Sequence, residues 1–334
     1  MTTPRRTNLL WGLLLLAAAL VILLGALNVI PDGLYDLFRR AWPALLVIVG
    51  LGALLRSRIP FANLFALLIS GLLVVGMALV AYSSRATEER TDQQVPIAQQ
   101  VSETTTLLEV NILTLATDVE IESTERASGI TGEFLGSTES VIQVNYIEGE
   151  DNRATFIVQE TRPSQFPRLD AVGRGRLRLQ VPAGVAVALS FSSQDGDATL
   201  NLSNLSLERL SMVTRQGNVI VTLPVYRPLS PNAAEQPNEI TADDGTVTIF
   251  VPEAVSALID LERGASGLEP QFDENVYRYL QGDILEARDY EEASIRANYL
   301  IRAPRGLIRV VEGVGTSGNT DGENTDEEAV GDSS

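Results

Sequence analysis

The sequence predicts a membrane-anchored, all-β protein: three N-terminal transmembrane α-helices, then a β-solenoid of about 21-residue repeats. A β-sandwich of hairpins is the alternative for the second part. Three observations carry this expectation. The first 82 residues contain three long runs of apolar side chains without a charge. A glycine-headed pattern of alternating apolar residues then recurs at a fixed spacing. No heptad or long helical periodicity interrupts residues 106–170.

The membrane region is expected over residues 1–82, with spans at about 8–30, 35–55 and 59–82. Asn8–Ile30 is 23 residues without a charge, enough to cross about 30 Å of hydrocarbon. Arg5 and Arg6 ahead of it leave a signal peptide as the rival reading, but the run is long for an h-region and further apolar runs follow. The second span is shorter and carries Trp42 and Pro43 at its entry. An indole suits the membrane interface, and proline suits the first turn of a helix. Tyr82 takes the interfacial position at the end of the third span. Only Arg56-Ser57-Arg58 separates spans two and three, which makes them a tight helical hairpin. The N-terminal Arg pair and this short basic loop place the N-terminus in the cytoplasm. Three spans then put the C-terminal domain outside the cell, with a cytoplasmic domain as the alternative.

Residues 83–105 are polar and read as a linker. The β-repeat domain is expected over 106–314. Apolar residues alternate at Leu108, Val110 and Ile112, slip by one to Leu113 and Leu115, and resume at Val119 and Ile121. Such a slip marks a bulge or a strand end. Ser140–Tyr146 and Ala154–Gln159 flank the polar turn EGEDNR, a hairpin pattern.

Glycines 175, 196, 217 and 245 each open Gly-x-φ-x-φ-x-φ, where φ is apolar, and a weaker copy opens at Gly306. The intervals are 21, 21 and 28, the last containing a proline-rich insertion. In three copies proline follows directly: Pro182, Pro224 and Pro252. Equal spacing of one inward-facing pattern is how stacked repeats look in sequence. Gly175, Gly196, Gly217, Gly245 and Gly306 are therefore expected as structural turn residues. A phosphate-binding loop would need a helix after the glycine, and Val-Ile-Val-Thr-Leu is not one. Between Glu269 and Leu300 the repeat breaks down, and a short helix is allowed there. Tyr277, Tyr279 and Tyr290 in that stretch fit either a binding surface or a cap over the open end of the core. Residues 315–334 hold six acids and no base and read as a disordered tail.

Composition narrows the chemistry. The formal charge is −18, all 25 basic residues are Arg, and the chain has no Lys, His or Cys. Disulfides, thiolate nucleophiles and zinc–thiolate sites are thereby excluded. The commonest general base is missing too, so Ser192, Ser193 and Ser203 have no activating partner. Beyond residue 82 there are 19 Arg against 41 acids, a surface that repels nucleic acid and anionic head groups. Asp195, Asp197, Asp243 and Asp244 recur at turns and could align to hold calcium, but they lack the dense Asp-Gly spacing of calcium repeats. No catalytic, cofactor or metal site is expected.

The run LLWGLLLLAAALVILLGALNVIP, a short loop, AWPALLVIVGLGALL and an Arg pair resemble the transmembrane region shared by the LiaI and LiaF proteins of bacterial envelope-stress systems. The repeats DGDATLNL, QGNVIVTLP and DGTVTIFVP are similar to the adhesin-like β-repeat domains joined to such regions. The resemblance implies a role in sensing or controlling cell-wall damage, with LiaF restraining a sensor kinase. This chain differs in showing three spans where LiaF-type proteins have four, and in a longer, more repetitive β region. The expected function is a non-enzymatic membrane protein that senses or regulates envelope stress. The alternative is a structural, adhesin-like module that self-associates or binds cell-wall polymer. The expected partners are the lipid bilayer, a membrane sensor kinase or wall polymer, and further copies of the chain.

Overall fold

The computed structural model describes residues 88–125, 128–163, 172–225, 238–263, 268–280 and 282–313, together with Gly76. The three expected spans, with Trp42, Pro43 and Tyr82, and the acidic tail lie outside the described residues. Among those described, no helix is long and apolar enough to cross a membrane.

The described chain is all β. Its strands are β1 (Gln93–Gln100), β2 (Leu107–Thr124), β3 (Gly129–Gly136), β4 (Val141–Glu148), β5 (Arg153–Thr161), β6 (Gly175–Pro182), β7 (Ala186–Asp195), β8 (Ala198–Asn201) and β9 (Ser206–Gln216). They continue with β10 (Val219–Thr222), β11 (Asn238–Asp244), β12 (Val247–Val251), β13 (Ser256–Arg263), β14 (Tyr277–Tyr279), β15 (Ile284–Ala287), β16 (Arg296–Ala303) and β17 (Ile308–Glu312).

These strands form two facing sheets. One runs β1-β3-β6-β2-β8-β10-β12-β17. The other runs β4-β5-β2-β7-β9-β11-β16-β13-β15-β14. Strand β2 is long enough to serve both. Leu107–Leu113 pairs with β5, and Thr117–Thr124 pairs with β6. We call the sheet containing β4 the first sheet and the sheet containing β1 the second.

Each repeat is one rung, a strand in the first sheet that turns a corner into a strand of the second. The rungs are β5–β6, the two halves of β2, β7–β8, β9–β10, β11–β12 and β16–β17, and rung stacks on rung in parallel register. The strands flanking Gly196 and Gly217 belong to different sheets, so these turns are not hairpins. The apolar alternation becomes two continuous columns. In the first sheet Val158, Ile112, Phe191, Met212, Ile240, Ile301 and Leu261 lie in line. In the second, Leu179, Ile121, Leu200, Val221, Ile249 and Val310 do. All are buried, and together they form the core between the sheets. A strand with one apolar face cannot bury that face alone, and stacking joins the faces into one interior.

The order of rungs differs from the order of the chain. The β2 rung lies between β5–β6 and β7–β8, and β16–β17 lies between β11–β12 and β13. Antiparallel strands finish one end of the stack, β3 and β1 on the second sheet and β4 on the first. At the other end β15 and β14 extend the first sheet beyond β13.

Three expectations change. The polar segment 83–105 is not a tether throughout. Residues 93–100 form β1, because Ile97 alternates into the core while the backbone pairs with β3. The periodicity slip at Leu113–Leu115 is neither a bulge nor a strand end. It is the corner where β2 leaves one sheet for the other. The irregular segment 269–300 shows no helix among its described residues. Tyr277, Leu285 and Ala287 instead project into the core from β14 and β15, closing that end.

Candidate functional site

The repeat glycines and turn acids singled out by sequence gather at the corners between the sheets. Gly196 and Gly217 have φ of 136° and 128°, a region that favours glycine. The corners also stack closely. A Cβ on Gly196 would lie 2.3 Å from the Thr117 carbonyl oxygen. On Gly217 it would lie 2.1 Å from that of Gly196, and on Gly245 1.9 Å from that of Gly217. Gly306 continues the column on Gly245, and Gly175 begins it against the Thr117 hydroxyl. Gly196, Gly217, Gly245 and Gly306 thus let the backbones of successive corners touch, and Gly175 makes room for the Thr117 side chain.

At three of these corners the residue after the glycine ties one rung to the next. The Asp197 amide donates to Asp118 Oδ1 at 2.8 Å, the Asn218 amide to Asp197 Oδ1 at 2.7 Å, and the Thr246 amide to Asn218 Oδ1 at 3.0 Å. Arg174 joins the ladder at Asp195 (2.6 Å) and Asp118 (3.5 Å). Burial pushes the Asp118 carboxyl up. The Asp197 amide and the Arg174 guanidinium oppose that shift, and the Asp197 carboxylate adds to it. Asp118, Asp195 and Asp197 are therefore engaged within the corners, and no cluster of three or more acids among the described residues is placed to hold a metal ion. Asp243 accepts from Arg305 through its carbonyl, and Asp244 lies 4.0 Å from the same guanidinium.

The β2 corner has Thr117 where other rungs have glycine, and a buried carboxylate supports it. Glu160, 3% exposed, accepts from the amides of Leu115 (2.8 Å) and Ala116 (3.1 Å) and from the Thr117 hydroxyl (2.8 Å). Its other oxygen accepts from Ser140 at 3.0 Å and from Arg162 at 3.2 Å. Burial alone raises the pKa of this carboxyl. The Leu115 amide, the Arg162 guanidinium, the Thr117 hydroxyl and the Ala116 amide outweigh it and hold Glu160 below the usual carboxylate range.

The remaining candidates are structural as well. Ser193 is buried and donates to the Asp195 carbonyl, and Ser203 donates to Asn201 Oδ1. Tyr277 is buried against the core, with its hydroxyl pushed far up by burial and by the nearby Glu312 and Asp289 carboxylates. Tyr290 donates to Asn298 Oδ1 at 2.7 Å, and Tyr279 meets Phe272 edge-on with ring centres 5.3 Å apart.

Two surface features were not picked out from the sequence. A groove of about 410 Å³ crosses the outer face of the second sheet, lined by Glu120, Glu122, Gly132, Glu133, Arg178 and Gln180. Arg178 donates to Glu120 within it at 2.8 Å. The other feature is β4, the outermost strand of the first sheet. It leaves Val141, Val144 and Ile147 at 43%, 37% and 56% exposure. The hairpin pattern around EGEDNR could locate β4. Only the pairing order shows that no further strand among the described residues pairs with it.

The chain matches no protein-family profile, and no curated protein matches it. Its fold is similar to that of a solved structure from Clostridium sporogenes described as a "putative cell adhesion protein". The TM-score is 0.55 at 14% identity, covering 66% of this chain and 99% of that one. A second structure, a "putative adhesin" from Bacteroides fragilis, is 11% identical over 67% of this chain and 100% of its own, with a TM-score of 0.25.

Proposed function

We propose that this chain is a non-enzymatic, adhesin-like module of the bacterial envelope. It is held at the membrane by residues 1–82, with its β stack displayed on the outer side. The reading rests on one observation: the corner side chains Glu160, Asp118, Asp197 and Asn218 are taken up in joining rungs. Glu160 accepts three hydrogen bonds from the β2 corner and one each from Ser140 and Arg162, and Asp118, Asp197 and Asn218 each accept an amide of the next rung. What such a stack offers to other molecules is its faces and edges, which bind but do not catalyse. The likeness to a structure described in terms of cell adhesion supports the same reading. A net charge of −22 beyond residue 82 turns away anionic polymers. It favours neutral partners, among them further copies of the chain. Regulation of an envelope-stress kinase rests on the resemblance of the first 58 residues, and adhesion is the function the described fold supports better.

The test is to produce the full chain in a bacterial host and compare it with a variant lacking residues 107–313. The intact chain is expected to promote cell clumping or retention of wall material, to be lost with the β stack, and to expose that stack to protease in whole cells. Unchanged clumping together with altered output of an envelope-stress reporter would overturn the adhesive reading.

A further inference from the structure

We infer that two copies of this chain join edge to edge through β4, in antiparallel register about a two-fold axis at Val144. The inference rests on the adhesive reading above and names its surface.

The first ground is the edge itself. An uncovered strand presents free N–H and C=O groups that template another strand, and proteins usually blunt such edges with charge, proline or shortness. The other three edges of the two sheets are blunted. Strand β1 carries Pro96, β14 is three residues long, and β17 bears Arg309 and Glu312 with Gln271 bridged to Arg309. Strand β4 is eight residues long, with no proline and no charge before Glu148.

The second ground is that this strand complements itself. Its sequence is VIQVNYIE. In an antiparallel pair centred on Val144, Val141 faces Ile147, Ile142 faces Tyr146, Gln143 faces Asn145, and Val144 faces its own copy. Apolar meets apolar and amide meets amide at every position, and directly opposed residues share a face of the sheet. Ile142, Val144 and Tyr146 lie opposite Glu160, Val158 and Phe156 of β5, on the core side. Pairing two copies would therefore also carry the core on from one copy into the next. Glu148 falls outside the seven matched positions, so no like charges oppose each other. On a domain this acidic, an uncharged strand is where two copies meet with least repulsion.

The third ground is placement. The chain enters the stack at Glu89, which bridges Arg174 beside β6, at the same end as β4. Were the last span to end at Tyr82, the six steps to Glu88 would reach at most about 20 Å. The β4 edges of neighbours on one membrane would then lie at a common height, which favours lateral pairing within one surface.

The native chain has no cysteine, so a single introduced thiol reports position. The full chain is produced in cells, and its membranes are oxidised mildly. Val144→Cys is expected to give a disulfide-linked dimer. Val141→Cys and Ile147→Cys are expected to cross-link when mixed, and not alone. Thr248→Cys, far along the stack, is the background control. The double variant Gln143→Lys/Asn145→Lys changes only exposed residues and sets ammonium against ammonium. With Val144→Cys it is expected to lower the cross-linked fraction by about tenfold while leaving the thermal melt in place. Cross-linking of Val144→Cys no greater than that of Thr248→Cys, or equal yields from every β4 position, would overturn the pairing. Clumping is read separately. Register-specific cross-links without clumping would support the pairing and sink the adhesive reading, and clumping without cross-links would do the reverse.

Discussion

Two single residues can be compared to isolate what the corner requires. Gly217 sits at φ 128° with a neighbouring carbonyl oxygen 2.1 Å from where a Cβ would be, whereas Gly184 has nothing within 4 Å. Gly217→Ala is expected to destabilise the fold by about 3 kcal/mol or more, because a strained backbone and a clash act together. Gly184→Ala is expected to be neutral or to stabilise by up to about 1 kcal/mol, through a less flexible unfolded chain. Thermal or denaturant melts of the two variants check this, and equal costs would remove the corner argument. The difference between these glycines was legible in sequence. Gly217 heads a strand at the repeat interval, and Gly184 follows Pro182 outside the pattern.

At the scale of an element, β2 is the strand most dependent on a distant partner. Its corner is held by Glu160, whose folded pKa is lowered. The stabilisation from such a group is complete above the unfolded value of about 4.3 and is lost as pH falls through the lower folded value. Acid unfolding is therefore expected to be steep below about pH 4.3. Glu160→Gln is expected to cost roughly 3 kcal/mol at neutral pH and to flatten that acid limb, as read by denaturant melts across pH. An acid limb of unchanged steepness would show that other carboxylates dominate. The sequence reveals strands such as β8, β10 and β12, whose pattern is local. It does not reveal why β2 bends without a glycine, since Glu160 lies 45 residues beyond Leu115 and meets it only after folding. The same holds for β1. Its sequence is polar, and its place comes from backbone pairing with β3, which periodicity cannot express.

For the whole molecule, the repeat makes a prediction about length. Removing residues 196–216 takes out one 21-residue unit and joins Asp195 to Gly217. Strand β7 would then stack on β11 and β10 on β2, with Phe191 meeting Ile240 and Val219 meeting Val119. The shortened chain is expected to fold cooperatively, with a denaturant m-value lower by about a tenth. Removing 206–216 alone leaves β8 and β10 in one sheet with no strand between them, and that chain is expected not to fold. Circular dichroism and denaturant titration distinguish the two. The spacing of the rungs was readable in the glycines. Their order was not, because parallel pairing between distant segments leaves no local trace.

That order has a mechanical consequence. A coil wound in simple sequence can be unwound from its free end, one turn after another, by a modest pull. Here the first and last turns are wedged between their neighbours, with β2 gripped by β5 and β7 and β16 gripped by β11 and β13. Traction on either terminus frees an edge strand first, β1 from β3 or β17 from β12, and must then shear β2 or β16 from two flanking strands at once. Such a body yields abruptly at high load instead of paying out slowly, which is what the proposed adhesive role would ask of it.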